Sequence, residues 1–175
     1  MNIFAIEGNE ETGDVDWIKS AQSQDNMRVV KMILESCQIL STVLNEQGVT
    51  APYRSFNPKH PSCKWAAESS ENFQNLMKHF ASMIQEYEAR FGKTHKCKEV
   101  LVKIRQLYKP ENFPTNKPTP LRMAMPDYFK VDNNPVISYR KYYASKPKMR
   151  YPKNKIPTWF EKYRKGKPYT ILEAK

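Results

Sequence analysis

The chain has 175 residues, 39% hydrophobic and 27% charged, with a formal net charge of +11; that is enough apolar material for one domain with a real core and does not demand a second lobe. Its three cysteines, Cys37, Cys63 and Cys97, lack C-x-x-C spacing, which argues against a disulfide framework and for a reducing compartment. The start, "MNIFAIEGNEE", has neither the basic region nor the apolar run of a signal peptide, and no segment approaches the length of a membrane span; a soluble cytoplasmic protein with no membrane partner is expected.

In chain order, residues 1–16 read as acidic and irregular, and Trp17–Ser23 as a short helical turn. Asp25 is a plausible N-cap for a helix running to about Asn45. Gly48, Pro52, Pro58 and Pro61 mark a loop, after which Ser62 is expected to cap the strongest helix. Ala66, Ser69, Phe73, Leu76, Phe80, Met83, Tyr87 and Phe91 recur there at helical spacing, up to Gly92. A third helix is predicted from about Lys96 to Tyr108. The stretch "KPENFPTNKPTPLRMAMP" holds five prolines in 18 residues, so it is neither helix nor central strand but a long wrapped loop or linker. Short helices are predicted after Asn134 and, with Pro157 near its first turn and Gly166 near its end, in "KNKIPTWFEKYRKGKPY". No alternating strand pattern of useful length is present. The expected fold is all-α: a single helical domain with a core over 1–108, and over 109–175 a Pro-rich loop and a basic, aromatic C-terminal segment packed on the same domain.

The charge is divided unevenly. Residues 1–100 hold 11 Lys/Arg against 13 Asp/Glu, and residues 101–175 hold 18 against 5. A basic segment of this kind attracts polyanions, because each phosphate contact releases counterions. Its aromatics, interleaved with the cations, favour nucleic acid over a mere solubility tail.

"HPSC" and "HKC" supply His60, Cys63, His95 and Cys97, four zinc-type ligands. The predicted helix between the pairs, about 28 residues at about 1.5 Å each, would separate them by roughly 40 Å, so no metal site is expected. No Gly-rich phosphate loop, G-x-S-x-G elbow or H-E-x-x-H motif occurs, and no cofactor is expected. Chemistry must then come from side chains on helices or from the chain terminus. In "SAQSQDNMRVVKMILESCQIL", Arg28, Lys31, Glu35, Gln38 and Thr42 fall within about 80° of one another on a helical wheel, with apolar residues on both sides. Periodicity leaves two readings even, a polar seam lining a cleft and an ordinary surface stripe with Lys31 and Glu35 as an i,i+4 pair.

The same stretch resembles the first block of the pyrimidine dimer DNA glycosylase family, in Ser20, Ala21, Asp25, Asn26, Arg28, Lys31, Glu35, Gln38, Ile39 and Leu40. "KHPSCKWAAESSENFQNLMKHFASMIQEYEARFGK" is similar to that family's His-Pro-x-x-x-Trp block, through His60, Pro61 and Trp65. "PTWFEKYRKGK" looks like the C-terminus of its phage endonuclease V type, through Pro157, Thr158, Trp159, Phe160, Tyr163, Gly166 and Lys167.

The resemblance implies an all-α enzyme that removes a damaged or modified base from double-stranded DNA and nicks the resulting abasic site. In such enzymes an amine attacks the sugar C1′ to form a Schiff base, and a carboxylate assists. An α-amine suits the role because its ordinary pKa of about 7.7–8.0 leaves part of it neutral near pH 7. Carried over, the carboxylate is Asp25, where the endonuclease V type has Glu, and its partner is Arg28. Asn2 is too large for efficient removal of Met1, so the amine falls to Met1. Asp25 has a competing role as helix cap, which makes Glu35 the fallback acid. Expected DNA contacts are Lys31, His60, Trp65, Arg140, Lys141, Trp159, Phe160, Lys162, Tyr163, Arg164, Lys165 and Lys167. For the aromatics the alternative is docking of a terminal helix on the core, and for His60 a bond to backbone. The alternative function is an inactive relative that serves as a DNA- or polymerase-associated phage factor; a third reading is an interaction protein that binds an acidic protein partner. A phage gene would place the protein in the host cell cytoplasm.

Overall fold

The computed structural model describes residues 1–173, and within them two aspartates open the first two helices. Asp16 Oδ1 accepts from Lys19 N at 2.9 Å and starts α1, Trp17–Gln22. Asp25 Oδ2 accepts from Met27 N at 3.3 Å and starts α2, Asn26–Glu46. Both satisfy amides that a helix start leaves without partners.

The strongest predicted helix is two helices. His60, not Ser62, caps α3, Pro61–Glu68, its Nδ1 accepting from Ser62 N at 3.1 Å with Pro61 at the first helical position. Ser69 then leaves helical geometry, with φ −153° and ψ 146°, and caps α4, Ser70–Phe91, by accepting from Glu71 N and Asn72 N at 3.1 Å each. The freed Ser70 amide donates to Thr115 O at 3.0 Å. The Pro-rich segment is therefore seated in the break, and it wraps the domain rather than linking two. Its Thr119 amide donates to Asn72 Oδ1 at 3.1 Å, and its Phe113 ring packs on Phe73. Helix α4 ends at Gly92 in the left-handed region that favours glycine.

Helix α5 is Cys97–Leu107, α6 is Pro135–Ala144 with Asn134 as cap, and α7 is Phe160–Arg164. Two three-residue strands, β1 (Arg150–Pro152) and β2 (Thr170–Leu172), pair in parallel with α7 in the crossover that such pairing requires. They correct the expectation of no strands, and the fold is otherwise all-α. No helix among the described residues is long and apolar enough to cross a membrane.

Helix α2 is the axis, packed by α3, α4, α5 and β1. The irregular first segment lies inside the core: Ile3, Phe4, Ala5 and Ile6 are all buried, and Phe4 meets the rings of Tyr139 and Tyr143 on α6. Its course turns at Gly8, φ +146°, where a Cβ would come 1.9 Å from Asp14 O. Tyr139, Tyr143, Tyr151, Trp159 and Phe160 share one core with the helices of 1–108.

Candidate active site

Because residues 3–6 are apolar and run through the core, the chain start is delivered to the middle of α2. Asn2 fixes it: its Nδ2 donates to Ala124 O at 2.8 Å, and its Oδ1 accepts from Ile3 N at 3.0 Å. The Asn2 backbone nitrogen then donates to Glu35 Oε2 at 2.8 Å, and the amine of Met1 lies 4.0 Å from the same oxygen. Lys31 Nζ stands 3.6 Å from Glu35 Oε1. Two successive main-chain nitrogens thus converge on one carboxylate, whose side chain is 13% exposed.

These groups line a cavity of about 290 Å³, with Arg28, Lys31 and Glu35 from α2, Phe4 and Met1 from the first segment, and Tyr142 and Lys146 from α6 and its end. Lys146 Nζ sits 3.6 Å from the centre of the Tyr142 ring, a cation held against a ring face. Arg28 is oriented by Pro147 O, which accepts from its Nη2 at 3.1 Å. The polar stripe of α2 is therefore a cleft wall over its first half; farther on, Thr42 is buried and its hydroxyl bonds Gln38 O at 2.7 Å.

His60 does not line the cavity but lies close enough to feel its charges. Burial pushes its imidazole below the usual range, the positive amine of residue 1 adds to the effect, and Glu35 opposes it. Its Nδ1 is taken by the α3 cap, which matches the backbone-bonding alternative and leaves Nε2 to carry the proton of the neutral ring.

Asp25 does not reach the cavity. Its side chain is 0% exposed: Oδ1 accepts from the Tyr143 hydroxyl at 2.8 Å, and Oδ2 accepts from Met27 N at 3.3 Å, from Arg150 N at 3.2 Å and from Nη1 of Arg28, its expected partner, at 3.4 Å. A carboxylate committed to a helix cap and a core tyrosine has no face left for substrate. Of the two acids considered on α2, Glu35 is the one at the cavity.

Several expected DNA contacts also turn inward. Trp65 is buried, its Nε1 donating to Thr119 O at 3.1 Å and its ring stacked near Trp17. Arg140 is buried and donates to Ile6 O, Glu10 Oε1 and Glu7 Oε2 at 2.8, 2.7 and 3.2 Å, with its guanidinium 5.1 Å from the Trp159 ring centre. Trp159 and Phe160 are buried, and Trp159 Nε1 donates to Glu7 Oε1 at 2.8 Å. Arg164 is buried and donates to four backbone carbonyls, those of Ala144, Lys146, Lys167 and Pro168. Tyr163 is half-buried, with its hydroxyl donating to Glu10 at 3.0 Å. For Trp159, Tyr163 and Arg140 docking on the core prevailed: Glu7 and Glu10 of the first segment accept from all three. Lys31, Lys141, Lys162, Lys165 and Lys167 remain exposed, Lys162 within 3.1 Å of Glu10, whose carboxyl it holds below the usual range.

Sequence reasoning missed Phe4, Tyr142 and Lys146 as cavity residues. Tyr142 and Lys146 stand at i,i+4, a spacing that could have flagged them; Phe4 carried no signal beyond being apolar. Among the described residues no group of three or more metal-ligating side chains occurs. Compared with known proteins, the chain matches no family model, no curated relative and no solved structure.

Proposed function

We propose that the protein is a DNA-binding enzyme that excises a damaged or modified base and cleaves the strand at the abasic site, with a main-chain amine at residue 1 or 2 as nucleophile and Glu35 as the assisting carboxylate. One observation carries the reading: the Asn2 nitrogen donates to Glu35 Oε2 and the Met1 amine lies 4.0 Å from it, in a cavity whose other charged side chains, Arg28, Lys31 and Lys146, are cationic. Glu35 is therefore within reach of the Met1 amine, and of the Asn2 nitrogen should Met1 be removed.

The neutral amine attacks C1′, the glycosidic electron pair leaves with the base, and the base takes up a proton. The amine loses its proton, the C1′–O4′ bond opens with protonation of O4′, and an imine forms. Glu35 then accepts a proton from C2′, and the electrons form the C2′=C3′ bond as the 3′ phosphate departs. Arg28, Lys31 and Lys146 suit the flanking phosphates, whose counterions they would release. On this reading the protein works in the cytoplasm, that of a host cell if the gene is a phage's.

The test is incubation with duplex DNA containing an abasic site or a thymine dimer, with borohydride to reduce any imine. Wild type is expected to form a covalent adduct and to nick. Glu35→Gln is expected to lose nicking by at least about 100-fold, the scale of a positioned acid or base, while its affinity for DNA stays within a few-fold of wild type. DNA that is bound with steep salt dependence but never trapped or nicked would instead favour the inactive DNA-associated factor.

A further inference from the structure

Tyr128 is 81% exposed, against 42–54% for the other exposed large hydrophobics. It is held out by a short, well-defined 3-10 turn, Asp127–Phe129, in which Phe129 N donates to Pro126 O at 3.1 Å and Lys130 N to Asp127 O at 2.9 Å. The next ring inward is Phe129, 4.4 Å away between centres, and beyond it Tyr142, a further 5.2 Å. Tyr142 is a wall of the Glu35 cavity and lies beneath Lys146. A ladder of three aromatic rings therefore leads from solvent to the cavity, where Lys146 lies over Tyr142; at the outer end Lys130, two residues after Tyr128, is paired with Asp127 at 2.7 Å.

The two inner rings are half-buried and packed on one another. Packing does not explain the outer one, which stands in water at the end of a ladder that leads to a cationic cavity. Planar bases of a polyanion match an exposed ring that leads to this cavity, since base–aromatic stacking tolerates any base and Arg28, Lys31 and Lys146 suit the backbone phosphates. Reach agrees as well. The two centre-to-centre steps bring Tyr128 within about 10 Å of Tyr142, or about three nucleotides at about 3.4 Å per step along one strand.

We infer that Tyr128 is a base-stacking residue, which receives an unstacked nucleobase within about three nucleotides of the one attacked at the Glu35 cavity. The inference rests on the proposed DNA reading and adds a binding residue that the chemistry itself does not require.

The experiment uses the full chain and abasic-site duplexes carrying 2-aminopurine singly at each of three positions on either side of the lesion. Wild type is expected to change the 2-aminopurine fluorescence at one or two adjacent positions on one side. Tyr128→Ala is expected to abolish that change and weaken binding about tenfold, and Tyr128→Phe to restore both. A Tyr128→Ala protein with wild-type affinity and an unchanged fluorescence pattern would overturn the inference, whether or not the wild type nicks. A fluorescence change lost in Tyr128→Ala would support it even if no covalent adduct is ever trapped, in which case only the catalytic reading fails. Weakened binding of an acidic protein with DNA binding intact would also overturn it, and would assign the ring to a protein partner.

Discussion

Asp25 and Glu35 are acids on one helix, and their surroundings divide their work. Asp25 opens α2, where amides seek acceptors, and a core tyrosine closes over it. Glu35 lies near the helix middle, where main-chain groups are already paired, so its oxygens are left for residues 1, 2 and 31. The stripe at Arg28, Lys31 and Glu35 was legible in the sequence because helical periodicity alone aligns it. That Asp25 would be enclosed was not, because enclosure depends on Tyr143 and Arg150, more than a hundred residues away. His79 gives a second residue-scale consequence. It is buried with its Nδ1 2.8 Å from Trp17 O and its Nε2 3.2 Å from Gln24 Nε2. The carbonyl requires Nδ1 to be the donor, so Nε2 must accept, and desolvation lowers the pKa to about 4. The unfolded chain, with an ordinary histidine near 6.5, binds the proton first. Stability from this group is thus fully present above about pH 6.5 and is lost as pH falls toward 4, by up to about 3 kcal/mol. Urea midpoints measured from pH 7.5 to 4.5 should show this slope, and His79→Gln should flatten it relative to wild type.

At the scale of elements, caps and periodicity located α1, α2, α5 and α6, while two features escaped. The break at Ser69 has neither Gly nor Pro to announce it; it is made by one hydroxyl and by the Thr115 carbonyl of a distant segment. The three-residue strands are shorter than any alternating pattern that could be recognised. Contacts to DNA were expected from Trp159, Tyr163 and Arg164, yet Trp159 and Tyr163 bond Glu7 and Glu10 of the first segment and Arg164 bonds four nearby carbonyls, because a charge total does not say which groups pair. Arg140 is the pivot of that docking. Arg140→Ala removes the donor to Ile6 O, Glu7 and Glu10 together and is expected to cost about 3 kcal/mol, much of it from acceptors left unpaired. Lys162→Ala, at the solvent side of the same cluster, should leave stability nearly unchanged. Chemical denaturation of the two variants checks the contrast.

Over the whole molecule, the chain start and the basic C-terminal part meet in space: Glu7 and Glu10 bind Arg140 and Lys162, and Phe4 packs against α6. This closure holds residues 1 and 2 against Glu35, so the fold acts as the clamp on the proposed nucleophile. It also explains why only part of the site could be read from sequence. Arg28, Lys31 and Glu35 share one helix, whereas Phe4, Tyr142 and Lys146 join them only after long-range packing. The most direct test of the central claim is to trap the protein on abasic-site DNA with borohydride, digest it, and find the modified residue by mass spectrometry. The account predicts a single adduct on the α-amine of the N-terminal peptide, at residue 1, or at residue 2 if Met1 has been removed, and its loss when that amine is acetylated. An adduct on a lysine side chain, or trapping that survives acetylation of the α-amine, would contradict it.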